Sequence, residues 1–326
     1  MPFRTVEQKP TSDDFAKARE LIEARDTGNL SLQDRRVVNL LYKNAGTRLC
    51  DDVEHVISMK ELRGSHKGGE RVRDSIIRLQ TTLLRVPTVD KNGKPATKRV
   101  AILSDTTTTD DEDDPNGQIV YSFSPGMREI IKDSTLWGRV RTAVIFAFTS
   151  KYSLSLYELL TARINLEHVW EEVFSVRDIR ALLGVPKDKL LRMPDLLRNC
   201  INVAVTEVNG MADFGVKVEP IRKGGTIRGT VTGFRVSWWR KNAEELKAAY
   251  KEIRQPKVGR LARLLGKVEK MAPSIPMLPD AKSPADDQLD PVVEAEVHEM
   301  LERMRAEESA KLATSRYLMD IYKISE

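Results

Sequence analysis

Residues 58–103 decide the fold of the first half of the chain, and their sequence is SMKELRGSHKGGERVRDSIIRLQTTLLRVPTVDKNGKPATKRVAIL. The stretch Ser58-Met59-Lys60-Glu61 fits a capping box and predicts a short helix that ends near Gly64. A longer helix is expected over about residues 70–84. Its apolar side chains recur at helical spacing, at Val72, Ile76, Leu79 and Leu83. A short helix, a turn and a longer helix together have the outline of a helix-turn-helix.

The segment after this helix has the pattern of a β-hairpin. Residues 85–89 and 99–103 are rich in β-prone side chains, and Asn92-Gly93 between them is a strong turn signal. A third β-prone segment covers residues 118–123. Because a hairpin directly after a helix-turn-helix is a wing, we predict a winged-helix domain here.

The predicted first domain extends in both directions from this motif. Residues 1–29 are interpreted as an N-terminal arm, with weak helical signals around residues 14–25. A firmer helix is expected after Ser31, where Asp34 completes a cap, and it should end near Gly46. Helical patterns return at residues 126–132 and 136–148, which completes a first domain of residues 30–149.

The second half repeats this plan over residues 150–240 without repeating the sequence. Three helices and then two strands are expected, over residues 154–166, 175–184, 194–208, 214–219 and 227–238. Ser175 is a good cap for the second helix, and Pro194 is a good first residue for the third. We therefore predict an α+β fold with two tandem winged-helix domains and a helical C-terminal tail.

The tail, residues 241–326, contains a predicted basic helix (242–254), a proline-rich linker (273–291) and an acidic helix (292 to about 323). Residues 187–279 carry 19 Lys and Arg against 9 Asp and Glu, a balance of +10. Residues 280–326 carry 6 against 12, a balance of −6. A polyanion is the natural partner of the basic block, with nucleic acid ahead of anionic lipid.

Composition argues against several other classes of function. The four histidines stand alone, and Pro95 and Val268 follow the two Gly-Lys pairs where a phosphate loop needs Ser or Thr. We therefore expect no metal, no cofactor and no small-molecule substrate. The longest strongly apolar run, residues 143–148, is too short for a membrane span, and residues 1–10 lack the apolar core of a signal peptide. We expect a cytoplasmic protein without membrane contact, in which Cys50 and Cys200 are buried thiols.

The predicted helix at residues 194–208 carries the candidates for reading bases. Opposite its apolar face lie Arg198, Asn199, Asn202 and Thr206. Arg and Asn match the edges of guanine and adenine in the major groove, so this face suits a recognition helix. The alternative is an ordinary amphipathic helix with a solvated face. The short helix before it and the basic hairpin after it favour recognition.

Other basic residues are candidates for phosphate contact. The hairpin tip combines two glycines with Arg222, Lys223 and Arg228, which suits a phosphate backbone or a minor groove, although solvated turns often carry such residues. The remaining candidates are Lys187, Lys189 and Arg192 in the second domain and Lys67, Arg71, Arg73 and Arg78 in the first. In the first domain, Asp74 among the arginines suggests ion pairs, and a dimer interface would explain these residues equally well.

Two conspicuous features are interpreted as structural. The run Asp110-Asp111-Glu112-Asp113-Asp114 lacks the alternating carboxylates of a calcium loop, so we expect a solvated loop. Trp238 and Trp239 lie at the end of a predicted strand, where only one of the two can face the core.

Five stretches of the chain carry a known pattern in order. They are Ser31-Leu32-Gln33-Asp34-Arg35-Arg36, Ile102-Leu103-Ser104, Tyr121-Ser122-Phe123-Ser124, the run TSKYSLSLYELL at residues 149–160, and Val203-Ala204-Val205-Thr206-Glu207-Val208-Asn209. Together they resemble the RepA/RepB-type plasmid replication initiators, the iteron-binding family of theta replication. The run at residues 149–160 is the most specific part, and the resemblance covers about residues 30–240.

The resemblance implies two winged helices, of which the second makes the stronger contacts to direct repeats (iterons) in the double-stranded DNA of a plasmid origin. The first takes part in DNA contact and in dimerisation. It further implies origin opening with a host initiator ATPase and the replicative helicase, in a bacterial cell where the protein associates with the plasmid or nucleoid.

We do not expect an enzyme. The paired histidines of strand-nicking initiators and the HxxR of tyrosine recombinases are missing from the sequence. The alternative function is a winged-helix transcriptional repressor, for example of its own promoter, because winged helices serve both roles.

Overall fold

The computed structural model describes residues 13–63, 70–108, 117–166, 168–226, 229–266, 295, 298–303 and 305. The chain divides into two compact units, Met1–Arg240 and Lys241–Glu326. The acidic run at residues 110–114 and the proline-rich linker lie outside the described residues. Among the helices that are described, none is long and apolar enough to cross a membrane.

The first half of the larger unit contains the predicted helix-turn-helix and wing. Its elements are β1 (Asp14–Ala18), α1 (Arg19–Ile22), α2 (Leu32–Ala45), β2 (His55–Ser58), α3 (Met59–Arg63), α4 (Glu70–Thr81), β3 (Leu83–Val89), β4 (Pro95–Ala101), β5 (Leu103–Thr108), β6 (Gln118–Phe123), α5 (Pro125–Asp133), β7 (Trp137–Arg141) and α6 (Thr142–Ala147). Strands β3 and β4 form the predicted hairpin, with Gly93 at φ +74° in its turn. Strands β2, β6 and β5 form an antiparallel sheet in that order, and β1 pairs with β7.

The second half has the same plan. Its elements are α7 (Lys151–Thr161), β8 (Glu171–Ser175), α8 (Val176–Leu182), α9 (Met193–Leu196), a π-helical turn (Leu197–Ile201), α10 (Asn202–Met211), β9 (Phe214–Arg222) and β10 (Val231–Arg240). The strand order is β8-β10-β9, with antiparallel pairing throughout. The Ser175 hydroxyl accepts a hydrogen bond from the Asp178 amide at 3.1 Å, which confirms the predicted cap of α8. Trp238 is 2% exposed and Trp239 41%, so one of the two faces the core, as expected.

Four local expectations were wrong. Leu83, counted among the apolar residues of the predicted 70–84 helix, lies beyond the end of α4 at Thr81 and begins strand β3, where it is 53% exposed. The weak helical signal at residues 14–25 belongs to a strand, β1, followed by the single-turn helix α1. The predicted helix at 136–148 begins instead as strand β7, whose Val140 lies opposite Phe15. The side chains of Trp137–Arg141 alternate between half-buried and buried, and this period of two is satisfied by pairing with a distant segment. Cys50 is only half-buried, whereas Cys200 is buried as expected.

Helix α7 lies at the centre of the larger unit. Its residues from Ser153 to Thr161 are all buried. It packs against α10 of the second half and against β7 of the first. Strand β7 approaches so closely that a Cβ on Gly138 would lie 2.4 Å from Thr161 Oγ1. The two halves therefore share one helix as the core between them.

A buried charge cluster joins α7 to the first half. Glu158 Oε1 lies 2.8 Å from Lys17 Nζ of β1 and accepts a hydrogen bond from Asn39 Nδ2 of α2 at 2.7 Å. Lys17 Nζ also donates to Asn39 Oδ1 at 3.0 Å. Burial lowers the pKa of Lys17, and the Glu158 carboxylate opposes this shift. The Lys17 ammonium and the Glu158 carboxylate therefore compensate each other's charge inside the core.

A second polar link connects α2 and α4. The Asp34 carboxylate completes the predicted capping box by accepting from the Ser31 amide at 2.7 Å. The same carboxylate accepts two hydrogen bonds from Arg78, each 3.0 Å long. Burial alone would raise the pKa of Asp34, but hydrogen bonds from Arg78, Ser75 and Ser31 outweigh it and hold the pKa below its ordinary value. Asp34 therefore serves both as a cap and as an ion-pair partner.

The smaller unit contains the helix predicted at residues 242–254, but this helix is not basic, since its three Lys and Arg are balanced by three Glu. Helix α11 (Ala243–Arg254) begins with a capping box between Asn242 and Glu245, and the short helix α12 (Arg260–Leu264) follows. Glu252 of α11 accepts from Arg260 Nε at 3.1 Å and from Arg263 Nη2 at 2.7 Å. These bonds tie α12 back to α11. Of the predicted acidic helix, the described residues 295, 298–303 and 305 are helical.

We predict that Glu158→Gln lowers the free energy of unfolding by roughly 3–5 kcal/mol, because Lys17 would remain buried without its counter-charge. Urea denaturation followed by circular dichroism measures the change. Glu219→Gln is the matched control, because the Lys217–Glu219 pair is 2.8 Å long but 63% and 49% exposed. Its cost should stay below about 1 kcal/mol. Similar losses for the two variants would contradict this account of the core.

We also predict an acid-sensitive contribution from Asp34. Its folded pKa is depressed, so its stabilising effect is complete above the unfolded pKa of about 3.9 and is lost as the pH falls through the folded value. The difference in unfolding free energy between wild type and Asp34→Asn should be constant near neutral pH and shrink below about pH 4. Urea titrations at a series of pH values test this, and a difference that grows on acidification would refute it.

Candidate nucleic-acid interface

The candidate base-reading residues lie on one long helical segment of the second half. Helix α9, the π-helical turn and α10 follow one another without a break from Met193 to Met211. The inner side of this segment includes Cys200, Ala204 and Val208, each 0% exposed. Because these side chains anchor the segment to the core, its opposite side faces solvent.

That solvent side carries the predicted polar face. Arg198, Asn199 and Asn202 are exposed, and Thr206 is half-buried. The Arg198 side chain is 76% exposed and lies 3.2 Å from Asp195. An exposed ion pair of this kind contributes at most about 1 kcal/mol, so a guanine edge can compete for the guanidinium.

The π-helical turn was not expected from the sequence. It covers Leu197–Ile201 and therefore contains Arg198 and Asn199, while Asn202 is the first residue of α10. A π-turn widens the helix locally, which changes the directions of the side chains on it, and such turns are frequent at functional sites. No Pro or Gly marks these five residues, so the periodic pattern alone predicted a regular helix.

The loop between α8 and α9 presents three of the candidate phosphate contacts. Lys187, Lys189 and Arg192 are all exposed there. Arg180 of α8 holds this loop by donating to the carbonyl oxygens of Pro186, Lys189 and Leu190, at 3.2, 2.6 and 2.6 Å. Arg180 was not among the residues predicted from the sequence to shape the site. Its signal is a cation in the last turn of a helix, where carbonyl groups lack partners.

The wing tip lies between β9 and β10. Arg222 is half-buried and donates from Nη1 to the Gly229 carbonyl at 3.0 Å, whereas Lys223 is exposed. Gly224 and Gly225 have φ values of +70° and +69°, which only glycine adopts readily. Arg228 lies outside the described residues. The described part of the tip therefore offers one exposed cation and one that also shapes the turn.

Asn209 connects the helical segment from Met193 to Met211, the candidate recognition segment, to the wing. Its amide group makes two hydrogen bonds with the backbone of Val216 in β9, receiving from the amide at 2.7 Å and donating to the carbonyl at 2.9 Å. This pairing fixes the end of α10 to the start of the hairpin. These hydrogen bonds hold the C-terminal end of the helix against the first strand of the hairpin.

The first half shows a different use of its basic residues. Arg78 pairs with Asp34, as described above, and Arg73 is half-buried with an interaction of its own. Arg71 lies in α4, but its side chain is not described, and Lys67 lies outside the described residues. The close partner of Arg78 is Asp34, and Asp74 adds a weaker electrostatic attraction to Arg78. This half supplies fewer exposed cations, among the described candidates, than the second half.

Two models of known protein families match the chain, one in each half. The model described as "Initiator Replication protein, WH1" matches residues 14–161, and the model described as "Initiator Rep protein, WH2" matches residues 175–238. No curated protein matches the chain. A solved structure, "Crystal structure of SeMet derivatives of domain2 and domain 3 of RctB", is 16% identical, with a TM-score of 0.34, over 70% of this chain and 86% of that one. The two family models fall on the two helix-turn-helix and hairpin units, and the chain therefore belongs to the Rep-type plasmid replication initiator family, with two winged-helix domains.

Proposed function

We propose that the protein binds direct repeats at a plasmid origin and initiates replication there. The observation that carries this proposal is the exposed polar face of Arg198, Asn199 and Asn202 on a helix whose opposite face is fully buried. Such a helix presents hydrogen-bonding groups to the major groove without loss of its core contacts. The exposed cations of the α8–α9 loop and of the wing tip flank this face in the sequence and suit the phosphates on either side.

We further propose a division of labour between the two domains. The second, residues 150–240, makes the main DNA contacts, and the first, residues 30–149, contributes weaker contacts and self-association. The pairing of Arg78 with Asp34 supports this division, because an arginine held in a bidentate pair is a poorer phosphate ligand. Direct repeats are read by subunits in one orientation, whereas a two-fold dimer prefers an inverted site, so the form that binds a repeat should be a monomer.

Family membership supports the remaining steps. We propose that the bound protein helps to open the origin and recruits a host initiator ATPase and the replicative helicase, with the protein located on the plasmid in the cytoplasm. Transformation tests initiation directly. An origin-bearing plasmid that lacks its own initiator gene should give colonies only in cells that express this chain. Repeat binding without colonies would favour the repressor alternative.

We predict a steep dependence of DNA affinity on salt. Lys187, Lys189, Arg192 and Lys223 are exposed, and together with Arg222 and one cation of the first domain they would give about six phosphate contacts, hence a slope of roughly −5 in log K against log salt. Fluorescence anisotropy with a repeat-containing duplex at several salt concentrations measures the slope. A slope near zero would mean that the protein makes no phosphate contacts with DNA, and it would contradict the proposal.

We predict that base-reading and phosphate-binding residues respond differently to substitution. Arg198→Ala or Asn202→Ala should cost roughly 1–3 kcal/mol on the repeat and much less on random DNA. Lys223→Ala should weaken both kinds of binding nearly equally and reduce the salt slope by about one unit. Arg235→Ala is the control, because it removes an exposed charge from β10 rather than from the recognition segment. Equal losses on both DNAs for Arg198→Ala would reject the recognition-helix assignment.

A further inference from the structure

The short connection between α6 and α7 is held from both sides by buried charges. We call Phe148, Thr149 and Ser150 the interdomain joint. On one side lies Arg36 of α2, which is 6% exposed. Its guanidinium donates to the carbonyl oxygens of Ile145, Phe146 and Phe148, at 3.2, 3.1 and 2.5 Å. Arg36 of the first domain thus hydrogen-bonds backbone carbonyl groups in the joint and in the residues just before it.

On the other side lies Glu207 of the recognition helix α10, which is 0% exposed. Its carboxylate accepts from the Thr149 amide at 3.0 Å and from the Ser150 amide at 3.3 Å. It also accepts a hydrogen bond from the Thr149 hydroxyl. Because Ser150 is the N-cap of α7, the carboxylate lies at the positive end of that helix. Glu207 of the second domain thus hydrogen-bonds the backbone amide groups of the same joint.

The contacts of Arg36 and of Glu207 with the joint depend on each other electrostatically. Burial lowers the pKa of Arg36, and attraction to Glu207 opposes that shift. A buried carboxylate that loses its donors, or a buried guanidinium that loses its counter-charge, is strongly unfavourable. Glu207 lies in the matched WH2 segment, whereas Arg36 and the joint lie in the matched WH1 segment. With the domain boundary between residues 149 and 150, the Thr149 hydrogen bonds to Glu207 cross between the domains, and the Ser150 hydrogen bond lies within the second. The Glu207 carboxylate therefore links the two winged helices and also contacts the first turn of α7.

The position of Glu207 within α10 gives this link a consequence for recognition. Thr206 precedes it directly, and Asn202 lies five residues earlier on the same rigid helix. Any rotation or sliding of α10 that moved Asn202 across a base edge would also withdraw the Glu207 carboxylate from the joint. Asn209, by contrast, makes two hydrogen bonds with the Val216 backbone inside the second domain.

We propose that Glu207 is a positioning residue for DNA recognition: through the interdomain joint it fixes the second recognition helix in register with the first domain, so that both winged helices meet one repeat as a rigid body. This inference rests on the proposed function, since it concerns how repeat DNA is read. It predicts that the affinity for DNA depends on the distance between the two halves of a repeat.

The test compares two duplexes, one repeat from the origin beside the gene and the same repeat with five base pairs, about half a helical turn, inserted at its centre. The wild-type full chain should bind the natural repeat at least about 30-fold more tightly, because the insertion prevents simultaneous engagement of both domains. Glu207→Gln should reduce this ratio to about fivefold or less, mainly by weaker binding of the natural repeat. Thr149→Val, a milder change that removes only the hydroxyl, should reduce the ratio partially.

Asn209→Ala is the matched control on the same helix. It should weaken binding to both duplexes by a similar factor and leave their ratio at the wild-type value. A Glu207→Gln protein that is folded by circular dichroism and keeps the wild-type ratio would overturn the proposal. The same holds if Thr149→Val and Asn209→Ala change the ratio equally.

Hydrogen exchange separates failure of this inference from failure of the proposed function. Without DNA, Glu207→Gln should increase the exchange of the Thr149 and Ser150 amides by about tenfold or more, since each loses a charged acceptor. Unchanged exchange would show that Glu207 does not hold the Thr149 and Ser150 amides, which would overturn its proposed contact with the joint. If wild type showed no preference for the repeat over a scrambled duplex, the proposed function would fail, and the exchange result would still decide whether Glu207 holds the joint.

Discussion

The larger unit depends on one constraint, the enclosure of α7 on all sides. A helix without a solvent face normally needs an apolar sequence, and Leu154, Leu156, Leu159 and Leu160 supply most of it. Glu158 is the charged residue among the buried residues of this helix, and its charge is tolerated because Lys17 and Asn39 reach it from two different elements. Those contacts require β1 and α2 to be in place. The N-terminal residues of the described chain are therefore part of the core on which the second winged helix is built.

Both winged helices contain arginines that hold the fold, and the second also exposes an arginine on the segment from Met193 to Met211. In the first, Arg36 and Arg78 are committed to backbone carbonyls and to Asp34, so they connect elements of the fold. In the second, Arg180 shapes the loop before the recognition segment, while Arg198 stands exposed with a weak surface partner. The guanidinium group suits both tasks because its planar set of donors can satisfy several acceptors at once. Net charge alone does not distinguish the two uses; burial does.

Local signals in the sequence were sufficient for most of the fold. The Ser31 and Ser175 caps, the Asn92-Gly93 turn and the apolar spacing of α4 each act within a few residues, and each is present in the structure. Strand β7 could not be predicted, because Trp137–Arg141 is stable as a strand only beside β1, more than a hundred residues earlier. The partners of Arg36 are likewise more than a hundred residues away, and those of Glu207 are 57 and 58 residues away. The sequence signal for such long-range contacts is a charged residue on the apolar face of a predicted helix, as Glu207 and Arg36 are.

The shared helix also bears on how initiators of this architecture can exchange specificity. A recombination event that transplanted only the second winged helix from a relative would pair a foreign α10 with a resident α7. Both faces of α7 would then have to match, one against α10 and the other against β7, where Gly138 leaves no room for a side chain. New repeat specificities should therefore arise more readily by point substitution on the exposed face of the recognition segment than by exchange of whole domains.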